Sequence, residues 1–147
     1  MHILYISYDS EDQALGQRLK KNLSPFQRDY GFTFWSREDV GPGENWQKEM
    51  GNHLRETTLF LALVSPDYLV SPKCTMEQTG AVLRKIPLVY VILRPTDLEW
   101  ISKGSTILPG NKNPITCWNN RDRAWLDVQK GVLALLTDRP LLPERKG

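Results

Sequence analysis

The chain is poor in the residues that build metal centres and disulfide scaffolds. Among its 147 residues are two cysteines and two histidines. Cys74 and Cys117 sit in unlike contexts, with no CxxC and no Cys/His cluster, and His2 and His53 are isolated. Neither a disulfide framework nor a zinc site is expected, and no metal or cofactor is assigned. Basic runs are missing too. Net charge is +2 and the closest groupings are Lys20-Lys21 and Arg145-Lys146, so direct nucleic-acid binding is not expected. Apolar runs fall far short of a membrane span. The opening MHILYISY lacks a basic n-region and a cleavage site, so it reads as a first strand rather than a signal peptide. A reducing, cytoplasmic setting is the default expectation. What remains is ordinary globular composition, 40% apolar and 24% charged, at a length that fits one domain.

Short apolar runs alternate with amphipathic ones. Residues 3–6 read as a central strand ending at Ser7-Tyr8-Asp9. Ser10 and Gln13 have the spacing of a capping box. The helix behind them carries Leu15, Leu19 and Leu23 on one face and stops at Ser24-Pro25. Residues 32–35, aromatic-rich, form a second strand. A charged, glycine-containing loop follows over 36–43. The next helix is predicted to open at Glu44, and the spacing of Trp46, Met50 and Leu54 assigns Trp46 to the core. Residues 57–64 are the most apolar run and the third strand. A Pro-rich turn leads to a helix opening near Lys73, with Glu77 in its first turn, ending near Arg84-Lys85. Residues 87–93 form the fourth strand. Residues 96–114 look irregular, with two prolines and two glycines. Residues 115–118 are predicted as a short fifth strand. The last helix carries Trp125, Val128, Val132 and Leu135. Residues 1–137 form the domain, and 138–147 a tail or the start of a linker.

This alternation predicts an α/β protein: a flavodoxin-like three-layer fold, with a five-stranded parallel sheet and helices on both faces. In such sheets ligands sit outside the carboxyl ends of strands, which draws attention to Glu77. A Glu in a helix's first turn also has an ordinary explanation in the helix dipole. Several occupants of the fold are disfavoured. A phosphorelay receiver needs an Asp ending the third strand, but Val64-Ser65-Pro66 stands there and Asp67 lies past the turn. The fourth strand ends in Arg94-Pro95, without a receiver's Lys. The loop Asp9 to Gln13 is too acidic to cradle a phosphate, and GxGxxG is absent.

Several stretches carry a resemblance. Tyr5-Ile6-Ser7-Tyr8 is similar to an F-I-S-Y box. Phe34-Trp35-Ser36-Arg37-Glu38-Asp39 with Pro42-Gly43-Glu44 and Trp46 resembles a second box. Ser65-Pro66-Asp67-Tyr68-Leu69 and Cys74-Thr75-Met76-Glu77 resemble S-P-x-[FY] and W-C-x-x-E. Val91-Ile92-Leu93-Arg94-Pro95 and Trp118-Asn119-Asn120-Arg121-Asp122 also fit. Together they resemble the TIR (Toll/interleukin-1 receptor) domain family, closest to its bacterial members, over residues 2–136. One departure stands out: Lys73 occupies the position where the family often has Trp, an aromatic that walls the nucleotide pocket.

The resemblance implies an enzyme that cleaves NAD⁺ at the nicotinamide–ribose bond, with NAD⁺ as substrate rather than cofactor and linear and cyclic products both open. It implies Glu77 as the catalytic carboxylate, acting as an anion without a raised pKa, beside an oxocarbenium-like transition state. Tyr8, Asp9, Ser36, Asp39, Lys73 and Cys74 are the implied substrate contacts. Tyr8 reads equally as a rim tyrosine, and Cys74 reads as a small buried hydrophobe rather than a nucleophile. Arg37, Glu38, Val40, Gly41, Pro42 and Gly43 belong to the family's BB loop, which mediates head-to-tail contacts with other TIR domains. Activation by self-association, a sensor domain or subunit, and a role in bacterial antiphage signalling are expected. The competing readings are a non-catalytic TIR adaptor and, more remotely, a nucleoside deoxyribosyltransferase-like enzyme.

Overall fold

The computed structural model describes residues 1–138. The tail expected over 138–147 lies outside them, apart from Asp138, which closes the last helix. The strands are β1 (His2–Ser7), β2 (Phe32–Ser36), β3 (Leu59–Val64), β4 (Leu88–Ile92) and β5 (Thr106–Leu108). They form one parallel sheet in the order β2-β1-β3-β4-β5. The helices are α1 (Gln13–Leu23), α2 (Gln27–Tyr30), α3 (Trp46–Glu56), α4 (Pro66–Val70), α5 (Pro72–Leu83) and α6 (Arg121–Asp138).

Successive strand residues point to opposite faces, and the apolar residues divide accordingly. Leu4, Ile6, Leu61, Leu63, Val89 and Val91 pack with Leu19 and Leu23 of α1 and Trp125, Val128 and Val132 of α6. Tyr5, Phe60, Ala62, Val64, Tyr90 and Ile92 pack with Leu54 of α3, Tyr68 of α4, and Cys74 and Ala81 of α5. This is the expected three-layer, flavodoxin-like arrangement. All six residues of β3 are buried, which is why that run is apolar without alternation. Each Leu or Val side chain so buried is worth roughly 1.5–3 kcal/mol over exposure.

Local chemistry sets the element ends, not always where the pattern put them. Asp9, not Ser10, caps the first helical turn, its carboxylate accepting the Glu11 N–H at 2.9 Å. Helical structure continues past Ser24-Pro25, through a 3₁₀ turn and α2, to Gly31, whose φ of 68° supplies a left-handed cap. Proline is tolerated at that first-turn position because no N–H is needed there. Asn45 caps α3, so the helix opens at Trp46 rather than Glu44. Trp46 departs from its core assignment. The buried stripe runs from Leu54 to half-buried Met50, and the indole instead lies half-buried under two cations. After β3, Ser65 caps α4 and Ser71 caps α5, each with Pro at the next position. Glu77 is thus the sixth residue of α5, beyond the first turn, where the dipole has largely faded.

The fifth strand is not at 115–118. That segment is a 3₁₀ turn over Ile115–Cys117, and β5 forms at Thr106–Leu108 by pairing with Val89–Val91 of β4. Among the described residues, no helix is long and apolar enough to cross a membrane.

The chain passes from β1 outward to β2, then crosses back to place β3 on the other side of β1. The carboxyl ends of β1 and β3 therefore flank a topological switch point, where open α/β sheets bind ligands.

Candidate active site

Glu77 reaches that switch point from α5 and is completely buried. Three donors hold its carboxylate. Tyr5 Oη donates to Oε2 at 2.5 Å, Ser7 Oγ donates to Oε1 at 2.7 Å, and Arg37 Nη1 donates to Oε1 at 2.7 Å. Tyr5 and Ser7 are two apart on β1, so they face the same side of the sheet. Arg37 comes from the 3₁₀ turn Arg37–Asp39 after β2 and anchors a second nitrogen on the Tyr8 carbonyl at 2.8 Å. Of the three donors, only Arg37 reaches solvent, its side chain 17% exposed.

Burial pushes the Glu77 carboxyl above the usual carboxylate range, while Arg37, Tyr5 and Ser7 pull it back. The shift is upward, against the expectation of an unperturbed anion steadied by its own helix dipole. Burial and the Glu77 charge push the Tyr5 phenol up, so Tyr5 stays protonated and remains the donor. Burial also raises the Cys74 thiol, which is fully buried in the apolar cluster below and suits packing rather than nucleophilic attack.

The other predicted contacts have different occupations. The Tyr8 ring is 6% exposed, packed against Gly16, with the Lys20 ammonium 5.5 Å from its centroid. Lys20, itself buried, donates to Ser36 Oγ at 2.6 Å and Glu38 Oε1 at 2.7 Å. Ser36 and Asp39 form a capping box, with the Ser36 N–H donated to Asp39 Oδ2 at 2.9 Å. Asp9 is spent on its own turn. In the loop beyond, the Gly41 N–H donates to Glu44 Oε1 at 2.5 Å, and Gly43 adopts φ 81°. Lys73 is exposed at the start of α5, its ammonium 5.6 Å from the Trp46 ring centroid, and Arg37 lies 5.8 Å from the same centroid.

Sequence reasoning thus found Glu77 but missed two of the groups that hold it, Tyr5 and Ser7. Two polar side chains at alternate positions of a strand otherwise apolar on both faces were the available signal. Arg37 was placed in the loop but not at the carboxylate. Lys20 and the rim position of Trp46 were also missed.

A cleft of about 250 Å³ is lined by Ile6, Tyr8, Ser10, Gln13, Arg37 and Glu38; it shares Arg37 with the Glu77 cluster, but Glu77 itself is not in its wall. A larger groove of about 320 Å³ runs along α5, with Leu69, Val82, Leu83 and Trp100 in its wall, and no charged side chain lines it. The smaller cleft carries the charged side chains, Arg37 and Glu38. Among the described residues, no cluster of His, Cys, Asp and Glu is arranged to hold a metal ion.

The sequence pattern of the TIR domain matches residues 4–131. This chain belongs to the TIR domain family. A curated relative, the uncharacterized protein y4lF of Sinorhizobium fredii (strain NBRC 101917 / NGR234), is 30% identical over 138 residues. The match covers 90% of this TIR chain but 43% of y4lF, so the chain spans less than half that relative's length. Among solved structures, the TIR domain of the Toll-related receptor TRR-2 from Hydra magnipapillata superposes with a TM-score of 0.59 at 14% identity, covering 88% of this chain and 96% of that one. A 2-deoxyribosyltransferase from Bacillus psychrosaccharolyticus, a biocatalyst for nucleoside synthesis, superposes with a TM-score of 0.54 at 14% identity, covering 89% and 95%. At that identity the two structures speak to the fold alone.

Proposed function

We propose that this TIR domain is an NAD⁺ glycohydrolase with Glu77 as its catalytic carboxylate. The observation that carries the reading is a fully buried carboxylate at the switch point, fastened by β1 and paired with one partly exposed cation, Arg37. In the reaction the C1′–N bond of the nicotinamide riboside breaks, and its electron pair leaves on neutral nicotinamide. The ribose carries the positive charge until water adds at C1′ and releases a proton to solvent. A carboxylate beside C1′ stabilises that charge, as in glycoside cleavage. Arg37 must move aside for the sugar to reach Glu77. The cationic nicotinamide ring, then the oxocarbenium, takes over the role of positive partner, so Glu77 stays ionised through the exchange. Tyr5 and Ser7 remain hydrogen-bonded and hold the carboxylate in place.

Self-association through the loop from Arg37 to Gly43 gives Arg37 a means of moving, since it is the first residue of that loop. The greater length of the Sinorhizobium relative supports a further segment or subunit as sensor, and antiphage signalling is the setting we favour. The test is nicotinamide release from NAD⁺ by the chain held at high local concentration. Release by the wild type and none by Glu77→Gln is the expected outcome, and the second product peak separates hydrolysis from cyclisation.

One observation favours a second reading. A carboxylate already neutralised by Arg37 and fully out of water is also what a structural ion pair looks like. A non-catalytic adaptor would release no nicotinamide under any degree of assembly, yet still associate through the same loop.

A further inference from the structure

The surface around Trp46 is not used by the chemistry just described. Arg37 and Lys73 both stand over its ring, at 5.8 and 5.6 Å from the centroid. The two cations come from different segments, the turn after β2 and the start of α5. Only Arg37 has an ion-pair partner among the described residues, Glu77, while the Lys73 ammonium has the indole alone. The Arg37 charge is paired with Glu77, so the unpaired charge at the indole is the Lys73 ammonium, and it favours a ligand anion. The helix end adds to it: the first turn of α5 carries no acidic residue, so nothing of its own complements the positive end of the dipole. An aromatic face beside two cations suits a ligand that joins a flat ring to phosphate.

We propose that Arg37, Lys73 and Trp46 form the diphosphate subsite of this domain, and that the diphosphate uncovers Glu77 by drawing Arg37 away from it. The proposal rests on the NAD⁺ reading and names the part of the substrate that makes the site open. The guanidinium spends two nitrogens on Glu77 and the Tyr8 carbonyl. A dinucleotide offers it a second anion, with geometry that a guanidinium matches in bidentate fashion. Lys73 holds the same anion from the α5 side, and the indole, relieved of one or both cations, presents a face to a base. Tyr5 and Ser7 do not move, because the sheet fixes them. Lys73 thereby does different work from the aromatic usual at its position: it binds charge, and Trp46 supplies the ring from α3.

Substrate choice follows. Nicotinamide riboside has the scissile bond and no phosphate, so it can displace Arg37 only by force of its own positive ring. The experiment compares nicotinamide release from NAD⁺, nicotinamide mononucleotide and nicotinamide riboside by wild type, Arg37→Ala and Lys73→Ala, all as the full chain held at high local concentration. For the wild type kcat/KM should fall from dinucleotide to riboside by roughly a hundredfold, a factor of ten for each lost charge contact. Lys73→Ala, a change at an exposed position, should raise KM for NAD⁺ about tenfold and leave the riboside unaffected. Arg37→Ala should narrow the preference for NAD⁺ over the riboside by at least about tenfold, since no latch then has to be released. A preference that survives both substitutions overturns the proposal.

A second arm does not depend on turnover. Calorimetric titration with ADP-ribose should show binding that weakens about tenfold in Lys73→Ala and in Arg37→Gln and declines with added salt. If no substrate yields nicotinamide, the glycohydrolase reading fails and this arm decides alone. Weakened ADP-ribose binding in both variants upholds the diphosphate subsite. Absent binding, or binding indifferent to both residues, removes it.

Discussion

Replacing Arg37 by alanine strips a buried carboxylate of its counter-charge. Glu77 is fully buried, and the substitution leaves it two neutral donors, Tyr5 and Ser7. Removing one partner of a buried ion pair costs about 3–5 kcal/mol. The two surviving hydrogen bonds and the partial exposure of Arg37 place this case at the low end, near 3 kcal/mol. For a chain of this size each kcal/mol moves Tm by about 2–4 °C, so a fall of roughly 6–12 °C is expected near neutral pH. The loss must depend on pH. The Glu77 carboxyl titrates above its unfolded value, so the folded wild type holds that proton more tightly than the unfolded chain does. This contribution to stability is present in acid and is lost as pH rises through the raised value. Without Arg37 the carboxyl moves higher still and the ionised form is the costly one. The gap between wild type and Arg37→Ala should therefore be smaller at an acid pH, below the raised value, than at an alkaline pH above it. Urea unfolding followed by tryptophan fluorescence measures it at both values, and comparing the two proteins cancels the other carboxylates. A double-mutant cycle with Glu77→Gln should give strong coupling. An equal gap at both pH values, with no coupling to Glu77, would refute the account of Arg37 as the charge partner of a buried anion.

Other perturbations probe neighbouring groups. Ser7→Ala removes a donor from Glu77 and should raise its titration further, moving the acid limb of nicotinamide release upward, with about 1–2 kcal/mol lost in urea unfolding. An unchanged pH–rate profile would count against Ser7 as a positioning residue. Asp12 is 2% exposed and accepts from Ser65 Oγ and from Arg94 Nε at 2.9 Å, tying the ends of β3 and β4 to the first turn. Asp12→Asn should cost about 1–3 kcal/mol, and a neutral effect on urea midpoint would show that the tie is dispensable. Burial pushes Glu38 upward, but Lys20 and Tyr8 more than offset it and hold the carboxyl below its usual range. That stability is present above the unfolded value and is lost as pH falls through the depressed one, so Glu38→Gln should flatten the acid side of the Tm–pH curve. A curve that keeps its slope would exclude the Lys20 pairing as its source.

Strand content was legible where burial made the sequence redundant. β3 is apolar at six consecutive positions because helices cover both faces, and no other element type accounts for that run followed by Ser-Pro. β5 was not legible. Thr106–Leu108 is three residues long, and its strand state comes from the open edge of β4 rather than from its own composition. Residues 115–117, with equal strand propensity, are instead drawn into a 3₁₀ turn. There the Thr116 N–H bonds to the Leu93 carbonyl, and the Trp118 indole N–H to that of Asn113. Trp46 misled for a related reason: its four-residue spacing with Met50 and Leu54 is real, but periodicity does not say where along a helix the sheet ends.

The sequence by itself determined the first four strands and the main helices between them, the family, and the one carboxylate of α5, because these are written in local patterns and short motifs. Only the tertiary structure decided what that carboxylate experiences. Tyr5 and Ser7 lie 72 and 70 positions before Glu77, and Arg37 lies 40 before it. They meet at Glu77 because β1 lies between β2 and β3 in the sheet and the chain reverses its direction of winding there. Burial, and with it the upward shift of Glu77 and its dependence on a single, mostly buried cation, is a property of that packing and has no counterpart in any local stretch of residues.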